Sequence, residues 1–66
     1  MAVLIVRDSS DVGKPGRVYV TGPHFGRGVY SSTRDREQAT RFEPDEAKRL
    51  LAEGKWAHSR PQLVVA

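Results

Sequence analysis

The residues best suited to chemistry lie in one glycine-rich loop, residues 22–28. Its sequence, Gly-Pro-His-Phe-Gly-Arg-Gly, brings together His24, Phe25 and Arg27. An aromatic ring and a guanidinium group can stack on a base and contact a phosphate, and the same pair is common at hot spots of protein interfaces. The glycine spacing is not that of a phosphate-binding loop, and the residues that follow indicate a strand where such a loop requires a helix. We therefore expect the glycines to form a turn, with His24, Phe25 and Arg27 as candidate binding residues at its tip.

Catalytic and metal chemistry is poorly supported. The two histidines, His24 and His58, lie in different loops, and the chain has no cysteine. Neither histidine has the neighbours that a zinc site or a catalytic triad requires. A chain of 66 residues also has little scaffold with which to enclose a reaction pocket. We predict a protein that is not an enzyme, with no catalytic residues, no metal and no cofactor.

The positive charge is concentrated in the first half of the chain. Residues 1–34 carry five cations against two carboxylates, whereas residues 35–66 carry six of each, for a net charge of +3. The five cations are Arg7, Lys14, Arg17, Arg27 and Arg34. This distribution favours an acidic partner, and Arg17 and Arg34 join the candidate binding residues. The aromatic spacing of an RNA-recognition motif is incomplete, so a protein partner is favoured and nucleic acid stays open.

Four segments have the composition of strands. Residues 2–7 are apolar at consecutive positions, which indicates a central strand buried on both faces. Residues 17–21 alternate between apolar and polar, and residues 29–32 form a third short strand. Loops of this length predict an antiparallel meander, and residues 62–66 would add at a sheet edge beside the first strand. The apolar run is too short for a membrane span or a signal peptide, so we expect a soluble, cytoplasmic protein with no membrane partner.

One helix is well marked, over residues 44–53. Pro44 fits its first position, and Gly54 stands where a left-handed residue commonly ends a helix. We expect Phe42 and Trp56 to pack its two ends against the sheet. Its apolar side consists of residues at helical spacing: Ala47, Leu50 and Leu51.

A shorter helix is expected just before it, capped by Ser32 or Thr33 and supported by a Glu37–Arg41 pair. The sequence therefore predicts one α+β domain over residues 1–66. Its sheet has three to four mainly antiparallel strands, and two short helices pack on one face.

The strand alternation also predicts an aromatic face. If the valines of the second and third strands point at the helix, Tyr19 and Tyr30 lie on the opposite face with Arg17. Such a face suits a dimer interface, a binding platform or ordinary cross-strand packing. Tyr30 is therefore a candidate binding residue, and a homodimer stays open because small cores often gain from a second subunit.

Part of the chain resembles a pattern in small uncharacterised phage and bacterial proteins: strand–loop–strand, T-x-D, A-x-x-F, then E-A-x-x-L-L. The match covers about residues 17–54. Its parts are Tyr30-Ser-Ser-Thr33-Arg-Asp35, Ala39-x-x-Phe42 and Glu46-Ala47-x-x-Leu50-Leu51. The chain departs from the pattern at Tyr30, where tryptophan is frequent, and at Glu43, where serine or threonine is usual.

By this resemblance, the chain is expected to act as such phage-encoded proteins often do, by occupying a host protein in host takeover or in anti-defence, anti-CRISPR-like inhibition. The sequence thus predicts a non-enzymatic binding protein that occludes a host protein surface. The alternative is a small nucleic-acid-binding module that uses the basic loops of the N-terminal half.

Overall fold

A four-stranded antiparallel sheet organises the computed structural model, which describes residues 1–24, 26 and 28–66. The strands are β1 (Val3–Asp8), β2 (Arg17–His24), β3 (Val29–Thr33) and β4 (Gln62–Val65). They lie in the order β3-β2-β1-β4, and each pairs antiparallel with its neighbour. The predicted meander, and the predicted position of the last strand beside the first, are both confirmed.

β1 is buried on both faces, as its continuous apolar run predicts. Val3 and Ile5 point towards the helix, where they form the core with Val20, Phe42 and Leu50. Leu4 points the other way, because successive side chains of a strand alternate between faces, and it is only 2% exposed. Both faces of β1 are therefore covered, as expected of a central strand.

The helix α1 (Pro44–Ala52) forms where the sequence predicts it. Pro44 occupies the first turn, and Asp45 and Glu46 follow it at the positive end of the helix dipole. Glu43 precedes the helix without making a side-chain capping bond. At the other end, Gly54 has φ +79° and donates its N–H to the Leu51 carbonyl at 3.0 Å. The helix start thus depends on its proline and acidic turn, and its end on a left-handed glycine.

The second predicted helix is not confirmed. Arg36–Gln38 forms a single 3₁₀ turn, and a further 3₁₀ turn spans Ala57–Ser59. The cap of the first turn is Asp35, whose carboxylate accepts the N–H of Glu37 at 2.9 Å. Ser32 and Thr33, the predicted caps, lie at the end of β3. The turn residue Arg36 borders a concavity with Leu4, so it lies by the sheet face opposite α1.

Residues 40–42 are extended because they take part in the sheet. The N–H and carbonyl groups of Phe42 and Val3 bond each other in both directions at 2.9 Å, and the Thr40 N–H donates to the Val20 carbonyl at 3.3 Å. The segment thus lies between β1 and β2 where these strands separate. This position places the Phe42 ring, 3% exposed, in the core.

The prediction for Tyr30 is wrong in one respect: its ring lies on the helix side of the sheet. Val20 pairs with Ser32, so Ser32 and Tyr30 share the core-facing side with Val20. The Tyr30 ring lies 5.5 Å edge-on from Trp56 and 6.5 Å from Phe42, centroid to centroid. Val29, which was expected to face the helix, is 45% exposed. The alternation itself holds, but the register that pairs Val20 with Ser32 places Tyr30 on the core side and Val29 on the opposite side.

Candidate binding surface

The predicted binding residues that the structure describes do not form one site. In this antiparallel sheet, the last residues of β1 and β3 lie beside the first residues of β2 and β4. We call this side of the molecule the basic end. Arg17 and Arg34 lie at the basic end, whereas His24 ends β2 at the other, roughly 20 Å away by strand length. Tyr30 lies near the His24 end. Phe25 and Arg27 lie outside the described residues.

Asp8 is the centre of the basic end, because two arginines hold its carboxylate. Arg60 donates from Nε to Oδ2 at 2.6 Å and from Nη2 to Oδ1 at 3.2 Å, and Arg17 donates from Nη1 to Oδ1 at 2.7 Å. The hydrogen bonds from Arg60 and then Arg17 lower the pKa of Asp8 from 3.8 to about 2. The bond with Asp8 in turn raises the pKa of Arg60. The group keeps one net positive charge.

Arg17 is held in place by further contacts with the segment that enters β4. Its Nη1 donates to the Arg60 carbonyl at 3.0 Å, and its Nη2 donates to Gln62 Oε1 at 3.2 Å. Arg60 itself has φ 48°, in the left-handed region, which bends the backbone just before β4. Two shallow concavities share these arginines: one continues over Pro61 and Gln62, and the other over Asp8 and the loop of residues 9–16. We call Arg17, Arg60 and Asp8 the arginine clamp.

Arg34 has a different role at the same end, because it fastens the β1–β2 loop. Its guanidinium donates to the Lys14 carbonyl, and it reaches Ser9 Oγ and the Pro15 carbonyl at 3.5 Å. The loop is closed further by the Ser9 N–H, which donates to the Gly16 carbonyl at 2.7 Å. Arg34 therefore supports the wall of the second concavity.

Four of the five cations in the first half of the chain share the basic end, which sequence alone could not establish. Arg7 is half-buried there, and its Nη1 donates to the Asp8 carbonyl at 3.0 Å. Lys14 is exposed on the loop. Sequence reasoning missed Arg60, which lies in the charge-balanced half of the chain. The sequence contained one signal for Arg60, because this residue lies just before the strand that was expected to pair beside β1. Antiparallel pairing of that last strand brings Arg60 near the end of β1.

Over residues 1–24, 26 and 28–66, no three His, Cys, Asp or Glu side chains are placed to hold a metal ion. Within the same residues, no helix is long and apolar enough to span a membrane. Comparison of the chain with protein-family models, curated proteins and solved structures gives no match. The functional argument therefore depends on the residues themselves.

Replacing Asp8 by asparagine is expected to lower thermal stability at neutral pH and to matter little near pH 2. Because folding lowers the pKa of Asp8 to about 2, the carboxylate stabilises the folded state above pH 3.8. That stabilisation is lost as the pH falls from 3.8 to about 2. Melting temperatures of the two proteins, measured by circular dichroism across this range, check the expectation. A difference in melting temperature that is the same at every pH would contradict it.

Proposed function

We propose that this chain is a non-enzymatic binding protein that occludes a surface of a partner protein, in the manner of the phage-type inhibitors that its sequence resembles. The observation that supports this most is the arginine clamp. It presents two exposed guanidinium groups that are already fixed in orientation.

Fixed arginines suit protein recognition for an energetic reason. Binding normally costs about 0.5–1.5 kcal/mol for each long side chain that becomes ordered. The side chain of Arg60 is 81% exposed, yet Asp8 holds it through two hydrogen bonds, and three hydrogen bonds hold Arg17. Part of that cost is therefore met before a partner arrives. Arginine is also enriched among hot-spot residues, and the net positive charge of the clamp favours a carboxylate on the partner.

The distribution of acidic groups favours a protein over nucleic acid. Asp8, Asp11 and Asp35 lie among the cations of the basic end, and a phosphate backbone would meet these carboxylates as well as the arginines. A protein surface carries both signs of charge and can match such a pattern. Nucleic acid is the second candidate, because Arg7, Lys14, Arg17 and Arg34 share one end of the sheet.

Occlusion suits the size of the chain. Its accessible surface is 4587 Å², and a standard protein interface buries about 800 Å² on each partner, roughly a sixth of that surface. Covering a partner over such an area needs no reaction chemistry. The phage-type role itself is supported by the sequence resemblance alone.

The two candidates predict different behaviour of arginine variants. For a protein partner, capture from a bacterial lysate survives nuclease treatment, and Arg17→Ala or Arg60→Ala weakens binding about 30-fold, as loss of a 2 kcal/mol hot spot does. Calorimetry or surface plasmon resonance with the captured partner measures the change. Lys48→Ala, on the exposed side of α1, is the matched control and should leave affinity unchanged.

For nucleic acid, nuclease removes the captured partner and affinity falls steeply with salt, with a slope of about 0.9 per phosphate contact in duplex DNA. Arg17→Ala and Arg27→Ala should then each lower that slope by about one. Binding to nucleic acid at about nanomolar concentration in physiological salt, weakened tenfold by Arg27→Ala, would replace the proposal by this alternative.

A further inference from the structure

The outer edge of β3 offers unpaired backbone groups, and their direction can be derived from one hydrogen bond. In an antiparallel sheet, the N–H and carbonyl of a residue point to the same side, and this side alternates along the strand. The Val20 carbonyl accepts the Thr40 N–H on the side of β2 away from β3. Val20 pairs with Ser32, and two residues paired across an antiparallel ladder direct their backbone groups either both towards each other or both away. The N–H and carbonyl of Ser32 therefore point away from Val20, out of the sheet. By alternation, those of Tyr30 point outwards too.

The opposite edge of the sheet, the outer side of β4, is capped at one backbone carbonyl. The Ala66 N–H donates to the Ala2 carbonyl at 3.1 Å, so by the same alternation the backbone groups of Leu63 and Val65 point outwards from β4. Arg36 Nη2 donates to the Val65 carbonyl at 2.7 Å and so caps this edge. β3 contains neither a charged residue nor a proline, the usual means by which proteins block an edge strand. In the part of the chain that the structure describes, β3 pairs with β2 alone.

We propose that β3 pairs with β3 of a second copy of this chain, antiparallel, about a twofold axis at Ser31. In this register Tyr30 lies opposite Ser32 of the second copy, and Ser32 lies opposite its Tyr30. All four residues direct their backbone groups into the interface, so four backbone hydrogen bonds form. The two sheets become one continuous sheet of eight strands.

The side chains of β3 are compatible with this register. Ser31 lies opposite Ser31 of the second copy, a hydroxyl pair that antiparallel strands accommodate well. Val29, 45% exposed in the single chain, lies opposite Thr33 and loses contact with water. No like charges face each other within the strand. A chain of 66 residues also gains more than a large one from a second subunit, because its own core is small.

The test places charges on the proposed axis. Ser31 is exposed, so lysine or glutamate there leaves the single chain folded. Two identical charges would lie directly opposite each other in the dimer and oppose it. We expect sedimentation equilibrium of the wild type to approach twice 7.4 kDa with rising concentration. Ser31→Lys and Ser31→Glu should each weaken dimerisation by about two- to fivefold, and an equimolar mixture of the two should restore it.

Ser10→Lys is the matched control, because it adds the same charge on an exposed loop away from β3 and should dimerise as the wild type does. Circular dichroism of each variant verifies the fold. Three results would each overturn the proposal: a wild type that stays at 7.4 kDa at about 1 mM, a dimer that Ser31→Lys does not weaken, or a lysine and glutamate mixture that stays monomeric.

Discussion

Replacing Leu50 by alanine is expected to destabilise the protein by about 2–5 kcal/mol. Leu50 is 4% exposed and lies in the core cluster with Ile5, Val20 and Phe42. The substitution removes buried apolar contacts and leaves a cavity that the surrounding strands can fill only in part. Because small domains often have a total stability near 5 kcal/mol, a large fraction of the variant should be unfolded at room temperature. Urea unfolding followed by circular dichroism measures the loss.

The control for this prediction lies two residues away on the same helix. Lys48 is exposed, so Lys48→Ala should change the free energy of unfolding by less than about 0.5 kcal/mol. A melting temperature of the Leu50 variant within a couple of degrees of the wild type would show that the core does not depend on this side chain.

Sequence patterns predicted β1 and α1 well because their signals are local. The consecutive apolar residues of β1 require cover on both faces, and the structure has it. The helix carries its start and stop signals in Pro44 and Gly54, and both act as expected. Elements of this kind are determined by residues within a few positions of each other.

The failures concern contacts between distant parts of the chain. The predicted short helix becomes one 3₁₀ turn because residues 40–42 bond to Val3 and Val20, which lie far away in sequence. Tyr30 faces the core because β3 pairs with β2 in the register that sets Ser32 opposite Val20. No local pattern encodes either contact.

The candidate site shows the same division. The excess of positive charge in the first half of the chain was visible in the sequence, and four of its cations do share one end of the sheet. The arginine clamp was not visible, because it depends on Arg60 meeting Asp8 across 52 positions of sequence. The strand order brings the two residues together, so this part of the site could be recognised only after the topology was known.

Gly22→Ala is expected to be strongly destabilising, because two independent effects add. Gly22 is buried and has φ +123°, a conformation that side-chain-bearing residues rarely adopt and that costs about 1–3 kcal/mol. A Cβ atom there would also lie 2.7 Å from the Val29 carbonyl oxygen and 3.0 Å from Tyr30 Cδ1. The first contact is with backbone, so β3 would have to move away from β2.

Gly54→Ala separates these two effects. Gly54 has φ +79°, but a Cβ atom there meets nothing within 4 Å, so it carries the conformational cost alone, about 1–2 kcal/mol. We expect urea unfolding to show a clearly larger loss for Gly22→Ala than for Gly54→Ala. Only the former should also change the near-ultraviolet signal of Trp56, because Tyr30 packs edge-on against that indole ring at 5.5 Å. Equal losses in the two variants, with the tryptophan signal unchanged, would mean that β3 does not pack over Gly22 as closely as the structure places it.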